Sequence, residues 1–412
     1  MEYVSLKEVI HIKHGYAFKG EFFTEENTGK LVLTPGNFSL SGGFIPTKKY
    51  TKEEAFPEEF ILKANDLIVT MTDLSKEVDT IGFAALVPSD NKLYLHNQRI
   101  GLVTIISDDF DKGFIYWLMR TKSYQRTIAN TSNGATVHHT SPARIYKYKF
   151  KRISLPTQQK IASILSAYDR LIENNTRRIR LLEQMAENLY KEWFVRFRFP
   201  EHENVEMVNG LPKGWKTIHI KELAQLKSGY AFKSEWFVEE GEAVAKIKDI
   251  GNILMDTSNF SYVDKENCIK AKKFLLTTGD LTIALTGATI GKISIVPKHK
   301  GNIYTNQRLG KFFLGDNPME KLPFLYCLFK QESMVSNIVN LSNSSSAQPN
   351  ISPEQIEKIK ILGNHDIISM YNKTCNPLFS NILALYSQNQ LLTRQRDLLL
   401  PRLMSGKLEV KS

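Results

Sequence analysis

The chain has 412 residues, 42% hydrophobic and 24% charged, a balance that excludes wholesale disorder, a collagen-like fibre and low-complexity sequence and leaves material for about two to three domains. Three distant cysteines, Cys268, Cys327 and Cys375, make neither a disulfide framework nor a paired zinc motif, so a reducing, cytoplasmic setting is expected. No signal-peptide pattern opens the sequence and its longest apolar run, residues 114–119, is far too short to span a bilayer, so no membrane is expected either. The net charge of +11 invites a polyanionic partner, but segments divided at residues 156, 200 and 363 carry +3, +3, +2 and +3, so none is a basic arm.

In chain order, residues 1–156 read as a mixed α/β head. After an amphipathic start come β-rich runs at 31–33, 67–71, 81–87 and 100–106, broken by Gly, Pro, Asn and Ser turns. Residues 157–198 read as a long helix. Its apolar positions Ile161, Leu165, Tyr168, Ile172, Asn175, Ile179, Leu182, Ala186, Leu189 and Trp193 alternate steps of four and three, a coiled-coil seam with one asparagine.

Residues 199–363 then repeat the first head. Residues 218–240 align without gaps to residues 4–26 with 12 identities in 23 positions, including GYAFK at 15–19 and 229–233. Further along, Asn97-Gln98-Arg99 matches Asn306-Gln307-Arg308, and FIYWLM at 114 matches FLYCLF at 324. Residues 364–409 read as a second long helix whose seam is Ile368, Tyr371, Cys375, Leu378, Ile382, Leu385, Asn389, Leu392, Arg396, Leu399 and Leu403. A duplicated head followed each time by a heptad helix predicts an α+β chain of two large similar units rather than a short-period solenoid.

Pairing the helices antiparallel with Asn175 opposite Asn389 brings every seam residue onto another, including Ile161 with Leu403 and Trp193 with Tyr371. A polar residue in a seam costs stability and fixes register. Pro377 and Pro401 each remove a hydrogen bond from the second helix, so a kink or break is expected there. The seam from Ile161 to Trp193 would run about 48 Å at roughly 1.5 Å per residue, enough to serve as a ruler between two heads.

No catalytic constellation stands out. GATIGK at 287–292 has the wrong glycine spacing for a phosphate loop and Ile293 where a Ser or Thr is needed, so it reads as a turn between strands. The segment at 376–379 lacks the second proline and adjacent aromatic of an adenine methyltransferase signature, and His138 and His139 have no partner ligands at metal spacing. A binding or organising role is expected, with no cofactor or metal in this chain.

The motifs GYAFK, GDLTIALTGATIGKISIVP at 279–297, TNQR at 305–308, LPKGW at 211–215 and LPTQQKIASIL at 155–165, in duplicated order, resemble the specificity subunit of type I restriction-modification systems over essentially the whole chain. The resemblance implies two target-recognition domains joined by two antiparallel coiled-coil helices with pseudo-two-fold symmetry. It also implies a subunit without catalysis of its own, which reads a bipartite asymmetric site in double-stranded DNA. Two methyltransferase subunits and the motor-nuclease restriction subunits would be its partners, and S-adenosylmethionine, ATP and Mg would belong to those partners alone. A duplicated protein-interaction scaffold without DNA readout is the rival reading.

If the heads read different sequences, residues shared by both serve as scaffold, phosphate contacts or partner contacts. GYAFK reads as scaffold, because Phe18 and Phe232 lie in apolar context, and Arg99 and Arg308 divide evenly between phosphate contact and a structural role. Base readers are expected in divergent polar segments. In the first head these are Lys48, Lys49, Lys76 and the 130–139 loop with Asn133, Thr136 and His138. In the second they are Lys246, Lys248, Asn252, Lys272, Lys273 and the 340–350 loop with Ser344, Ser345 and Gln348.

Overall fold

The computed structural model describes residues 2–39, 42–73, 80–134, 137–342, 349–408 and 410. The chain forms two compact units, Met1–Leu171 with Leu392–Ser412, and Ile172–Leu391. Each unit therefore contains one head and one end of both long helices.

In unit 1, a four-stranded antiparallel sheet runs Ile10–His14, Ile100–Ile105, Leu67–Thr70, Ala84–Leu86. A five-stranded sheet runs Phe23–Thr24, Tyr50–Thr51, Lys30–Val32, Leu93–Leu95, Ile61–Leu62, with one parallel pair between Lys30–Val32 and Leu93–Leu95. The four β-rich runs expected from the sequence all contain strands. Helices Lys112–Leu118 and Lys122–Asn130 supply Phe114, Ile115, Trp117, Tyr124 and Ile128 to a core shared with Leu67, Val69 and Val103. Their starts are set by Asp111 and Thr121, whose side chains accept the backbone N–H groups of Phe114 and Tyr124.

Unit 2 repeats this topology strand for strand. Its four-stranded sheet is Gln225–Ser228, Leu309–Phe313, Leu281–Ala284, Ile293–Ile295, and its five-stranded sheet is Phe237–Val238, Ser261–Val263, Glu242–Ala245, Ile303–Thr305, Leu275–Leu276. The parallel pair recurs between Glu242–Ala245 and Ile303–Thr305. Residues 287–292 turn between two antiparallel strands, with Gly287 and Gly291 at φ 79° and 80°. Unit 2 adds a hairpin, Met207–Val208 against Leu211–Pro212, turning at Asn209 and Gly210, both at positive φ as a tight two-residue hairpin requires.

The long helices are Leu155–Tyr190, which ends in a π turn over Lys191–Val195, and His365–Met404. No seam residue is exposed. In unit 1 Ile161, Leu165, Leu399 and Leu403 join one core, and in unit 2 Ile179, Leu182, Leu189, Leu378, Ile382 and Leu385 join another. Ile172 and Leu392 are half-buried.

The helices run antiparallel in unit 2, where Trp193 meets Tyr371 edge-on at 5.7 Å and Asn175 Nδ2 donates to Gln388 Oε1 at 3.4 Å. Asn389 Nδ2 donates to the Ile172 carbonyl at 3.2 Å and to Thr176 Oγ1 at 3.1 Å. The two asparagines thus lie at one level, as the register predicts, but each bonds to a neighbour of the other.

The expected break in the second helix is not found: His365–Met404 is helical through both prolines. Pro377 and Pro401 are exposed, as are Lys373 and Asp397 one turn earlier, so the carbonyls the prolines leave unbonded have access to water. The irregular turn instead closes the first helix, where nothing in the heptad pattern signals it.

Candidate nucleic-acid interface

The two motifs that the heads share touch each other. In unit 1 the Tyr16 N–H donates to the His96 carbonyl at 2.8 Å and the Gln98 N–H to the Tyr16 carbonyl at 2.9 Å, a parallel bridge between Tyr16 and Asn97. In unit 2 Tyr230 does the same with Thr305 and Gln307, at 2.8 and 3.0 Å. The approach is so close that a Cβ on Gly15 would lie 2.3 Å from the Asn97 carbonyl oxygen, and one on Gly229 would lie 2.3 Å from that of Thr305. Only glycine fits there. Phe18 and Phe232 are buried, edge-on to Tyr16 at 4.9 Å and Tyr230 at 5.0 Å. GYAFK is therefore built into the scaffold.

The other half of this contact faces solvent. The Asn97 side chain accepts the Arg99 N–H at 3.1 Å and that of Asn306 the Arg308 N–H at 3.3 Å. Each turn presents an exposed Gln and Arg: Gln98 and Arg99, Gln307 and Arg308. Neither guanidinium forms an ion pair with a described residue. An unpaired guanidinium fixed at a turn offers forked donors to a phosphate or a base edge.

The divergent loops are registered to these arginines through the sheet. In unit 1 the Arg99 carbonyl accepts from Met71 N–H and the Met71 carbonyl from Thr140 N–H, each at 3.0 Å; in unit 2 the series is Arg308, Leu285 and Ile351, again at 3.0 Å. Thr140 and Ile351, which follow the 130–139 and 340–350 segments, thus hold equivalent positions in their heads. Asn133 is exposed and bridges His139 through both backbone bonds. His138 is half-buried opposite Asp73, and His139 Nδ1 lies 3.2 Å from Thr72 Oγ1. Lys76, Thr136, Ser344, Ser345 and Gln348 lie outside the described residues.

The remaining expected readers are dispersed. Lys48 and Lys49 are exposed, with the Lys49 ammonium 4.6 Å from the Phe23 ring. Lys246 is half-buried over Phe237 at 3.7 Å, and burial, reinforced by Lys248, pulls its pKa down. The Lys248 ammonium donates to the Asn259 carbonyl at 2.8 Å. Asn252, Lys272 and Lys273 are exposed. Lys272 and Lys273 belong to the 3-10 run Lys265–Phe274, whose exposed Lys265 and Lys270 the motif reading passed over. The signal was available: KENCIKAKKF stands where the first head has TKEEAFPEEF. Among the described residues no three His, Cys, Asp or Glu side chains group as a metal site.

The chain is similar to known proteins in both sequence and fold. The sequence matches the family described as the type I restriction modification DNA specificity domain over residues 1–184 and 212–362, more than half the chain. It is 26% identical over 383 residues to the type I restriction enzyme MjaIX specificity subunit of Methanocaldococcus jannaschii, covering 89% of this chain and 82% of that one. It is 27% identical over 318 residues to the HindI specificity subunit of Haemophilus influenzae, covering 61% and 67%. The fold is similar to the crystal structure of the type I S subunit from M. genitalium, with TM-score 0.58 and 18% identity over 100% of this chain and 96% of that one. With both heads matched, the chain belongs to the family of type I restriction-modification specificity subunits.

Proposed function

We propose that this chain reads DNA for a type I restriction-modification complex, one head per half of a bipartite, asymmetric site. One observation carries the reading: two heads of identical topology present the same exposed Gln-Arg turn, linked in register to Thr140 or Ile351, the residue that follows a segment of divergent sequence, SNGATVHH at 132–139 against SNSSSAQP at 342–349. Shared cations suit the invariant phosphate backbone, and divergent polar loops suit different base edges.

On this reading Arg99 and Arg308 hold phosphates. Base readers are drawn from Lys48, Lys49, Lys76, Asn133, Thr136 and His138 in the first head and from Lys246, Asn252, Lys272, Lys273, Ser344, Ser345 and Gln348 in the second. Lys248 would first have to leave the Asn259 carbonyl. The chain itself carries no catalysis. Two methyltransferase subunits bind it and flip the target adenine into their own pockets, so S-adenosylmethionine belongs to them, and ATP and Mg to the restriction subunits. The complex works in the cytoplasm; among the described residues no helix is long and apolar enough to cross a membrane.

The test is modular exchange. Replacing residues 27–150 with the corresponding part of another specificity subunit and mapping methylated adenines should change one half-site and preserve the other. A change in both halves, or in neither, would refute the assignment of one head to one half-site.

A further inference from the structure

One segment occupies the same place in both heads with opposite charge. In unit 2, Lys265–Phe274 leads into the strand Leu275–Leu276; in unit 1, residues 51–60 lead into Ile61–Leu62. Each strand pairs antiparallel with its counterpart, Ile303–Thr305 or Leu93–Leu95. The aromatic closing each segment lies against the GYAFK tyrosine, Phe274 at 6.0 Å from Tyr230 and Phe60 at 5.6 Å from Tyr16. That tyrosine is bridged to the turn bearing the exposed arginine, Arg308 or Arg99.

In unit 2 the segment carries Lys265, Lys270, Lys272 and Lys273 against Glu266. All four lysines are exposed, and no ammonium among them bonds or pairs with a described residue. In unit 1 the segment carries Lys52 against Glu53, Glu54, Glu58 and Glu59. There the cations are already matched: Lys52 pairs with Glu26 at 2.8 Å, and Lys13 with Glu59 at 2.6 Å. Glu53 is buried beneath GYAFK, accepting the Lys19 N–H at 3.2 Å and the Tyr16 hydroxyl at 3.4 Å.

Four unmatched ammonium groups on ten residues repel one another, and a line of phosphates would relieve that repulsion. We propose that Lys265, Lys270, Lys272 and Lys273, together with Arg308, clamp the phosphate backbone of duplex DNA, which takes Lys272 and Lys273 out of the candidate base readers, and that the first head has no counterpart. The two halves of the site are then held with unequal electrostatic grip, the second head supplying the larger salt-sensitive share. This rests on the reading of the chain as a DNA specificity subunit.

The test uses the full chain assembled with its methyltransferase subunits and a random-sequence duplex, with affinity measured across a potassium chloride series. The triple variant K270A/K272A/K273A, checked for unchanged melting temperature, should flatten the slope of log affinity against log salt by roughly 2 to 3, at about 0.9 for each phosphate no longer neutralised. K52A, which removes a lysine already paired with Glu26, should leave the slope unaltered. An unchanged slope in the triple variant overturns the clamp. So does an unchanged slope with weakened assembly, which would assign the lysines to an acidic protein surface. A wild-type complex whose DNA affinity ignores salt would sink the DNA-reading function as well, and so is distinguishable from failure of the clamp alone.

Discussion

The two units fasten their heads to the long helices through a matching cation–carboxylate–tyrosine link set in different surroundings. In unit 1 the helix Lys112–Leu118 is followed by Arg120, only 3% exposed in its side chain, which donates to Asp169 Oδ2 at 2.5 Å and to the Tyr116 hydroxyl at 2.7 Å. Arg396 reaches the other oxygen of Asp169 at 2.6 Å. One carboxylate thus holds two buried guanidinium groups, and Trp117 Nε1 donates to Ser166 Oγ at 2.9 Å beside them. In unit 2 the matching helix Leu322–Lys330 ends on Lys330, whose ammonium lies 3.1 Å from Glu183 Oε1, the same oxygen that accepts the Tyr326 hydroxyl at 2.5 Å. Beside this pair its Phe324 joins an aromatic cluster with Tyr190, Trp193, Phe194 and Tyr371. The Tyr371 hydroxyl donates to the Ala186 carbonyl at 2.7 Å and lies 3.2 Å from Cys327 Sγ. Even the capping of the short helix changes hands: Phe114 N–H is accepted by Asp111 from its own loop, and Phe324 N–H by Asn372 from the long helix.

The contrast teaches that the architecture keeps one ionic link between head and rod and fills the space around it in more than one way. An aromatic junction loses stability in proportion to the volume removed. An ionic one fails through whichever partner is left charged and alone.

Mutations can break this comparison. Trp193→Ala should cost about 3–5 kcal/mol, the usual penalty for emptying a buried aromatic site, seen as a lower denaturant midpoint. Asp169→Ala should cost about 3 kcal/mol, because it removes the carboxylate that bridges two buried guanidinium groups and leaves Arg396 only the exposed Asp397 as its ion-pair partner. If Asp169→Ala proves neutral, the ionic junction is not what holds unit 1. Gly15→Ala and Gly229→Ala should each cost about 2 kcal/mol through forced overlap with a backbone carbonyl, and the two heads should respond alike.

The smallest effect is one of pH. His96 is buried, and burial pulls its pKa below the usual range, against the opposing pull of the Ile100 carbonyl at 2.8 Å. The folded state keeps the ring neutral, so its contribution is complete above about pH 6.5 and is lost as pH falls below that value, where the unfolded chain takes up a proton the folded chain refuses. The matching residue in unit 2 is Thr305, which bonds the Phe274 carbonyl at 3.0 Å. His96→Thr should flatten the acid side of a melting-temperature profile; an unaltered profile would show that His96 is not the titrating group.

Much of this was legible in the sequence, because it repeats at fixed spacing. The heptad positions gave the helix pairing, and the duplicated motifs gave the two heads. The junction chemistry was hidden: Arg396 interrupts the seam, but its partner Asp169 lies off the seam, and no periodicity links either to Arg120. The prolines misled because a rule about lost hydrogen bonds takes no account of exposure. For the interface, sequence identified the shared arginines, but the register that links Thr140 to Arg99 and Ile351 to Arg308 required tertiary hydrogen bonds.

The glycine-to-carbonyl contact between GYAFK and the Asn-Gln-Arg turn has an evolutionary corollary. Both faces of that joint are spelled alike in the two heads, so sequence lying between them, residues 20–96 or 234–305, can be traded without refitting the hinge plate on which it is mounted. New recognition surfaces can arise by splicing, with the mounting inherited intact.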